Sequence, residues 1–424
     1  MSESATITLG PQDQTYLHLD TPSRPAHWAM LLELGEADPL DIAAVRQRVA
    51  ERASRYALFR TGIEGGRWRR PRVIEVDAID TDAQVTAAVY RDDADLHAQI
   101  GTLMGTHLER GRPFWHLTVF SPESGGARQY ILLRVHHSLS DGIAGAAFSA
   151  LLADETNDDG LAEFDRFATS PRFHISGIDP DELKTAKAAF EEIWKAGQEG
   201  RDWPKLSKSG KREAVWHSVS TRELRRAAKR EGASVHEFLL AAVGATLSEV
   251  PPAGTASSNV RVTLPVTLDK EFRHTGNAVS VSLLNLAADE TAVAQQIPSV
   301  RDQLERIERD RPELYLAAAD DAPRAPWPIF RVLSGASMNR MSPDIHVGIN
   351  PGFTRVRTVL GVPIDDLTAL SPLVGYSFSV TILILGARTS FGIVYDGQSL
   401  PGYGERFLQS FDALLTEATT KTSP

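Results

Sequence analysis

The chain reads as an α+β or α/β protein assembled from two halves, each a mixed sheet with helices. Three observations predict this. At 424 residues it is about two domains long. Strand-like runs alternate with amphipathic helical runs in both halves. Between the halves, Asp154 to Pro180 is polar and punctuated by proline and glycine, the composition of a surface connection. The expected division is 1–160 for the first unit, 161–210 for a linker with a crossing helix, and 211–424 for the second unit.

The elements follow in order. Asp13 to Leu19 suits a short helix and Trp28 to Leu34 a strand. Asp41 to Tyr56 is an amphipathic helix starting after Asp38-Pro39, with Ile42, Val45 and Val49 as its apolar stripe. Trp115 to Phe120 and Tyr130 to Val135 are β-branched and aromatic, a strand pair. Leu183, Ala186, Phe190, Ile193 and Trp194 mark one apolar face of a crossing helix. In the second half, strands are expected near Arg212 to Trp216, Val260 to Thr267 and Val279 to Leu286. Helices are expected at Thr221 to Glu231, Ser234 to Glu249 and Ile297 to Arg309. Phe378 to Leu385 and Ser390 to Tyr395 form an antiparallel pair around Gly386-Ala387-Arg388, and Pro401 to Ala418 closes as a helix.

Chemistry concentrates where the apolar run Ile131-Leu132-Leu133-Arg134-Val135 ends in His136-His137-Ser138-Leu139-Ser140-Asp141-Gly142. A buried strand here delivers an imidazole to a turn, where one ring nitrogen can face a cavity, as a general base requires. The small apolar run Ile143 to Leu152 then reads as a packed helix. Two other readings stand beside catalysis: a hydrogen-bonded core histidine, and a metal site using the histidines and Asp141. Adjacent strand side chains point to opposite faces, which disfavours convergence of His136 and His137 on one ion. No metal is expected.

Composition narrows the function classes. Lys+Arg 45 against Asp+Glu 55 leaves a formal net charge of −10, so no global basic charge recommends nucleic acid. Absence of cysteine removes thiol nucleophiles, disulfides and cysteine zinc sites. No G-x-S-x-G is present, against a serine hydrolase. Gly62, Gly65 and Gly66, like Ser209-Gly210-Lys211, lack the Gly-Lys-Ser/Thr of a phosphate-binding loop. The first residues carry no signal-peptide pattern and no apolar run reaches the ~18–20 residues of a membrane span. A cytoplasmic protein, with loose membrane or lipid-droplet contact at most, is expected.

The pattern H-H-x-x-x-D-G over His136, His137, Asp141 and Gly142 resembles the signature of the acyltransferase superfamily that includes chloramphenicol acetyltransferase, peptide-synthetase condensation domains and the wax ester synthase/diacylglycerol acyltransferases. The resemblance to the last family extends along the chain. Asp13 to Pro22 and Pro25-Ala26-His27 are similar to its opening segments. Arg112-Pro113-Phe114-Trp115 is similar to its R-P-L-W-type element, and Arg261 to Thr267 to its V-P-V-S strand. Gly276-Asn277 resembles its G-N-x-x element, and Ser371-Pro372-Leu373, Phe391-Gly392 and Asp396 its C-terminal part. Two places depart from the family pattern. His236-Glu237 stands where Asn-Asp is usual, and the S-N-V-P-G-P-type segment survives only as Gly348-Ile349-Asn350-Pro351-Gly352-Phe353.

The resemblance implies two chloramphenicol-acetyltransferase-like subdomains with an active-site tunnel between them. It implies His137 as the general base, His136 as structural, Asp141 holding its loop through an arginine salt bridge, and Gly142 permitting the turn. Acyl transfer would be direct, from a thioester to an alcohol without a covalent acyl-enzyme, as in wax ester and diacylglycerol O-acylation. No cofactor is implied; acyl-CoA or an acyl carrier protein thioester is a substrate, with an alcohol or amine as acceptor. Arg67-Trp68-Arg69-Arg70-Pro71-Arg72 and the helix face Arg222, Arg225, Arg226, Lys229 and Arg230 are candidates for the phosphates of CoA, although such runs are more often solvated faces. Two alternatives remain: a specialised natural-product ester or amide synthase, and a non-catalytic acyl-binding or interaction protein. The substrate-binding residues are not legible in the sequence.

Overall fold

A computed structural model describes residues 7–65, 69, 71–124, 128–154, 172–271, 274–321, 326–352 and 358–420. The described residues contain two six-stranded sheets and one small hairpin. The strands are β1 (His27–Leu34), β2 (Thr61–Glu64), β3 (Arg72–Glu75), β4 (Val85–Tyr90), β5 (Trp115–Pro122), β6 (Tyr130–His136) and β7 (Arg212–Ser220). There follow β8 (Asn259–Thr267), β9 (Val279–Ala287), β10 (Ile345–Pro351), β11 (Thr358–Val359), β12 (Val362–Leu370), β13 (Phe378–Leu385) and β14 (Arg388–Asp396). One sheet runs β11-β12-β1-β6-β5-β4 and the other β7-β14-β13-β10-β8-β9, with β2-β3 as the hairpin. Both large sheets are mixed: β4 pairs parallel with β5, and β10 parallel with β13 and β8. The fold class is the one expected.

The unbroken apolar run of β6 has a direct cause. Ile131, Leu133 and Val135 enter the core beneath the helix Ile42–Arg55, while Tyr130 and Leu132 enter a second core on the opposite face. A strand covered on both faces loses the polar alternation of a half-exposed one. Asp41 caps the helix Ile42–Arg55 by accepting from the Ala43 N–H, and Val45, Val49 and Ala53 bury its inner stripe. The segment after the histidine turn winds as a 3-10 helix, Ala144–Leu151, rather than the ordinary helix expected. Its small residues allow close packing: a Cβ at Gly145 would lie 2.6 Å from the Trp28 ring.

Two elements cross the expected division of the chain. Strands β11 and β12, from the second unit, pair into the first unit's sheet, with Ala29 opposite Leu370. The crossing helix Pro180–Ala196 turns its apolar face to the second sheet, giving Phe190 and Ile193 to that core. Residues 155–171 of the expected connection lie outside the described residues. β12 passes tightly over β14: Ser390 Oγ donates to the Leu367 carbonyl at 2.5 Å, and a Cβ at Gly392 would collide with the Ala369 carbonyl. Only glycine permits that approach. The crossing ties the halves together and sets Ala369, Leu370 and Ser371 at their seam.

Candidate active site

His137 directly follows β6, and its backbone N–H donates to the Ala26 carbonyl at 2.8 Å. Tyr16, on the helix Pro11–Leu19, stacks on its imidazole with centroids 3.7 Å apart and planes 8° from parallel. The ring's Nδ1 lies 2.9 Å from Asn277 Oδ1. Asn277 Nδ2 donates to the His137 carbonyl at 2.7 Å and to Asp13 Oδ1 at 2.8 Å. Both amide hydrogens are thereby spent on oxygen acceptors, so Oδ1 can only accept. Nδ1 of His137 carries the proton, and Nε2 is left with its lone pair at the cavity.

Burial in the enclosed seam depresses His137 to about 4, against the opposing pull of the Asp141 charge and the Asn277 hydrogen bond. Part of the ring borders the cavity, yet the surrounding low dielectric still disfavours the imidazolium. His137 is therefore neutral at ordinary pH.

Asp141 is fully enclosed, and among the described residues no arginine pairs with it. It pairs with His274, whose Nε2 lies 2.9 Å from Asp141 Oδ2 while its Nδ1 lies 2.9 Å from Asp269 Oδ2. The expected arginine salt bridge is thus corrected to a histidine bridge. Burial alone would raise Asp141, but the His274 ion pair and the Ala144 and Ala278 N–H groups bring it below its ordinary value. Burial would lower His274, but the two carboxylates raise it. Arginine does brace this loop from elsewhere: Arg172 donates to the Ser138 and Leu139 carbonyls and pairs with Asp13 at 2.8 Å.

Gly142 requires a second correction. It has no positive φ, and a Cβ there would meet nothing within 4 Å. The turn does not demand glycine. Gly142 instead borders the cavity, where a side chain would take up substrate space.

His136 points away from the cavity. Its ring stacks on Phe114 at 4.2 Å, Nδ1 accepts from the Ser138 N–H, and Nε2 lies 3.8 Å from Asp20. Phe114 belongs to the Arg112-Pro113-Phe114-Trp115 element, which gives that element a supporting role beneath the motif. His236-Glu237 also lies away from the cavity. Glu237 closes a capping box with Ser234 on the helix Val235–Glu249, and its Arg301 hydrogen bond takes it down to about 2. Arg222, Arg225, Arg226 and Lys229 line a surface pocket of about 330 Å³ beside Gly386-Ala387. Of the other basic run, Arg67, Trp68 and Arg70, with Gly66, lie outside the described residues, and Arg72 pairs with Glu64. Phe353 is also outside them.

The cavity at His137 measures about 490 Å³ and is walled by both halves: Leu19, Trp28 and Met30 from one side, Val281, Phe330 and Leu383 from the other. That volume falls within the usual range of small-molecule sites. Among the described residues no three His, Asp or Glu side chains are placed to hold a metal ion. Sequence reasoning missed the roles of Tyr16, Asp13, Arg172, Asn277 and His274, and did not single out His346, which also borders the cavity. The Gly276-Asn277 element was visible, but nothing local announces that Asn277 meets a histidine 140 positions away.

Comparison with known proteins gives consistent results. The family model described as the wax ester synthase/diacylglycerol acyltransferase catalytic domain matches residues 9–188. A probable diacylglycerol O-acyltransferase of Mycobacterium tuberculosis is 26% identical over 335 residues, covering 72% of this chain and 71% of that protein. The solved wax ester synthase/diacylglycerol acyltransferase of Marinobacter aquaeolei VT8 superposes with a TM-score of 0.66 at 17% identity, over 97% of this chain and all of that one (100%). The first condensation domain of the calcium-dependent antibiotic synthetase gives 0.60 at 16% identity, over 98% of this chain and 97% of that one. At such identities the solved structures speak for the fold alone. The matched residues 9–188 contain Tyr16 and His137, while Asn277, His274 and His346 lie beyond them.

Proposed function

We propose that the chain is a wax ester synthase/diacylglycerol acyltransferase-type enzyme, a reading supported by the family-model match and the 26%-identical relative, and that it transfers a fatty acyl group from a thioester to a lipid alcohol, with His137 as the general base. The observation that carries this reading is the lone-pair nitrogen of a clamped, neutral imidazole on the wall of a largely apolar cavity shared by both halves.

The acceptor hydroxyl gives its proton to His137 Nε2 as its oxygen attacks the thioester carbonyl. The C=O π pair moves onto oxygen, forming a tetrahedral oxyanion. Collapse re-forms the carbonyl and breaks the C–S bond, and the proton on Nε2 passes to the departing sulfur. No acyl-enzyme is needed. Asn277 keeps Nδ1 protonated throughout, and Tyr16 holds the ring plane. The Asp141 carboxylate offsets the transient imidazolium.

CoA is the proposed donor, and the pocket of Arg222, Arg225, Arg226 and Lys229 supports a phosphate-bearing ligand there. A carrier-protein thioester carries a phosphate too, so the same surface serves that alternative. Lipid acceptors are favoured over small alcohols or amines by the apolar walls. On the helix Trp327–Met341, Ile329, Val332 and Leu333 are exposed while Phe330 and Met338 border the cavity, which supports delivery of substrate from a lipid surface. Among the described residues no helix is long and apolar enough to cross a membrane.

Incubation with palmitoyl-CoA and hexadecanol, diacylglycerol, or small polar alcohols and amines, following thiol release and product mass, tests the reading. Ester formed from the lipid acceptors is expected. Turnover with small acceptors alone would replace it with the natural-product synthase reading, and ligand binding without turnover would leave the acyl-binding one.

A further inference from the structure

The cavity has a second imidazole that the mechanism above leaves unused. His346 sits on β10, in the half of the molecule opposite the strand that delivers His137, and borders the same space. Its neighbours fix the ring. Tyr376 stacks on it with centroids 5.1 Å apart and planes 15° from parallel. Thr263, its register partner on β8, places Oγ1 3.1 Å from Nδ1. Gly348, two residues along the same strand face, leaves room for the other nitrogen: a Cβ there would lie 3.1 Å from Nε2.

The tautomer follows from the hydroxyl's single hydrogen. Thr263 Oγ1 has two acceptors in reach, Nδ1 at 3.1 Å and the Ile345 carbonyl at 3.3 Å. Nδ1 is the nearer of the two, and we assign the hydroxyl hydrogen to it. Nε2 then carries the ring proton. It makes no hydrogen bond among the described residues. Burial, foremost, takes His346 down to about 3, so the ring is a neutral donor at working pH. An unpaired buried donor costs about 1–3 kcal/mol, and unlike the unpaired Nε2 of His27 and His136 that of His346 stands on the cavity wall. A donor kept bare on a cavity wall is one that a ligand completes.

We propose that His346 Nε2–H is the hydrogen-bond donor that receives the thioester carbonyl oxygen as negative charge develops on it, across the cavity from His137. This rests on the acyl-transfer reading. His137 carries the proton from hydroxyl to sulfur, while His346 keeps its own proton and gives only a hydrogen bond. That bond strengthens as the C=O π pair moves onto oxygen and relaxes when the C–S bond breaks. Its benefit therefore falls on kcat rather than KM.

The test compares full-length wild type with His346→Phe, His346→Gln and His137→Ala, measuring kcat, KM for both substrates and thermal unfolding. His346→Phe keeps the stacked ring without a donor and is expected to lower kcat about 10²–10³-fold, with KM within about threefold. His346→Gln restores an N–H and is expected to recover at least about tenfold over the phenylalanine variant. In histidine-15N-labelled wild type, two-bond proton–nitrogen correlation is expected to find His346 as the Nε2–H tautomer. Wild-type kcat in His346→Phe, a loss confined to KM, or the Nδ1–H tautomer would each overturn the inference. Wild-type transfer that His137→Ala abolishes upholds the underlying reading whatever the His346 variants do. Absence of transfer in the wild type would remove both.

Discussion

At the residue scale, a base serves only if its lone pair faces the substrate, and Asn277 decides this for His137. Its two amide hydrogens are committed to the His137 carbonyl and to Asp13. Asn277→Ala frees the tautomer and is expected to lower kcat about 10–100-fold, the range seen for groups that orient another ligand or base. A near-wild-type kcat would show that the ring needs no such lock. The protonation state gives a second expectation. With His137 as the proposed base, activity requires its neutral form, and its depressed value of about 4 places the acid limb of kcat/KM there, with a plateau from about pH 5 to 8. A limb centred near 6.5 would mean that the free site is wet and the imidazole unperturbed. Of these residues, His137 was legible because a strand, a turn and a glycine announce it in one contiguous stretch. Asn277, Asp13 and Tyr16 were not, because their meaning is a contact across the fold. His346 was hidden by an unremarkable strand context.

At the element scale, the motif loop is pinned to the turn between β8 and β9. Asp141 accepts from the Ile143 and Ala144 N–H groups on its own side, and from the Ala278 N–H and His274 across the seam. His274→Ala leaves a buried carboxylate without its cation and is expected to cost about 3–5 kcal/mol in chemical unfolding. A loss below about 1 kcal/mol would mean that the backbone donors suffice. Gly392→Ala is expected to destabilise as well, because β12 cannot then lie against β14. Strands such as β1, β5, β6 and β13 were readable as apolar runs. The strand Val362–Leu370 carries Asp365 and Asp366 and shows no such pattern, and its membership of the first sheet depends on a long-range crossing that periodicity does not encode. The arginine expected at Asp141 failed for a related reason: any buried cation satisfies the carboxylate, and here His274 supplies it.

At the scale of the whole molecule, two sheets close around one cavity, and the histidines that support the seam are largely buried neutral. Burial holds His27, His136, His137 and His346 below their ordinary value. Such groups bind fewer protons folded than unfolded, so stability rises with pH between their folded values and about 6.5. For His137 the window runs from about 4 to 6.5. His107 and His274 are raised by carboxylate partners, and their contribution is present below about 6.5 and lost as pH climbs through their folded values. With more buried neutral rings than paired ones, unfolding free energy is expected to fall as pH drops from 6.5 to 4. A flat profile would contradict this. The two-sheet fold was legible from alternation and length, whereas the cavity walls, drawn from segments more than 300 residues apart, were not. The account stands most directly on one comparison: single-turnover acyl transfer from palmitoyl-CoA to a lipid alcohol by wild type and by His137→Ala, with unfolding measured on both. Transfer by the wild type, slowed at least about a hundredfold in a normally folded variant, is the predicted result; equal rates in the two proteins would contradict it.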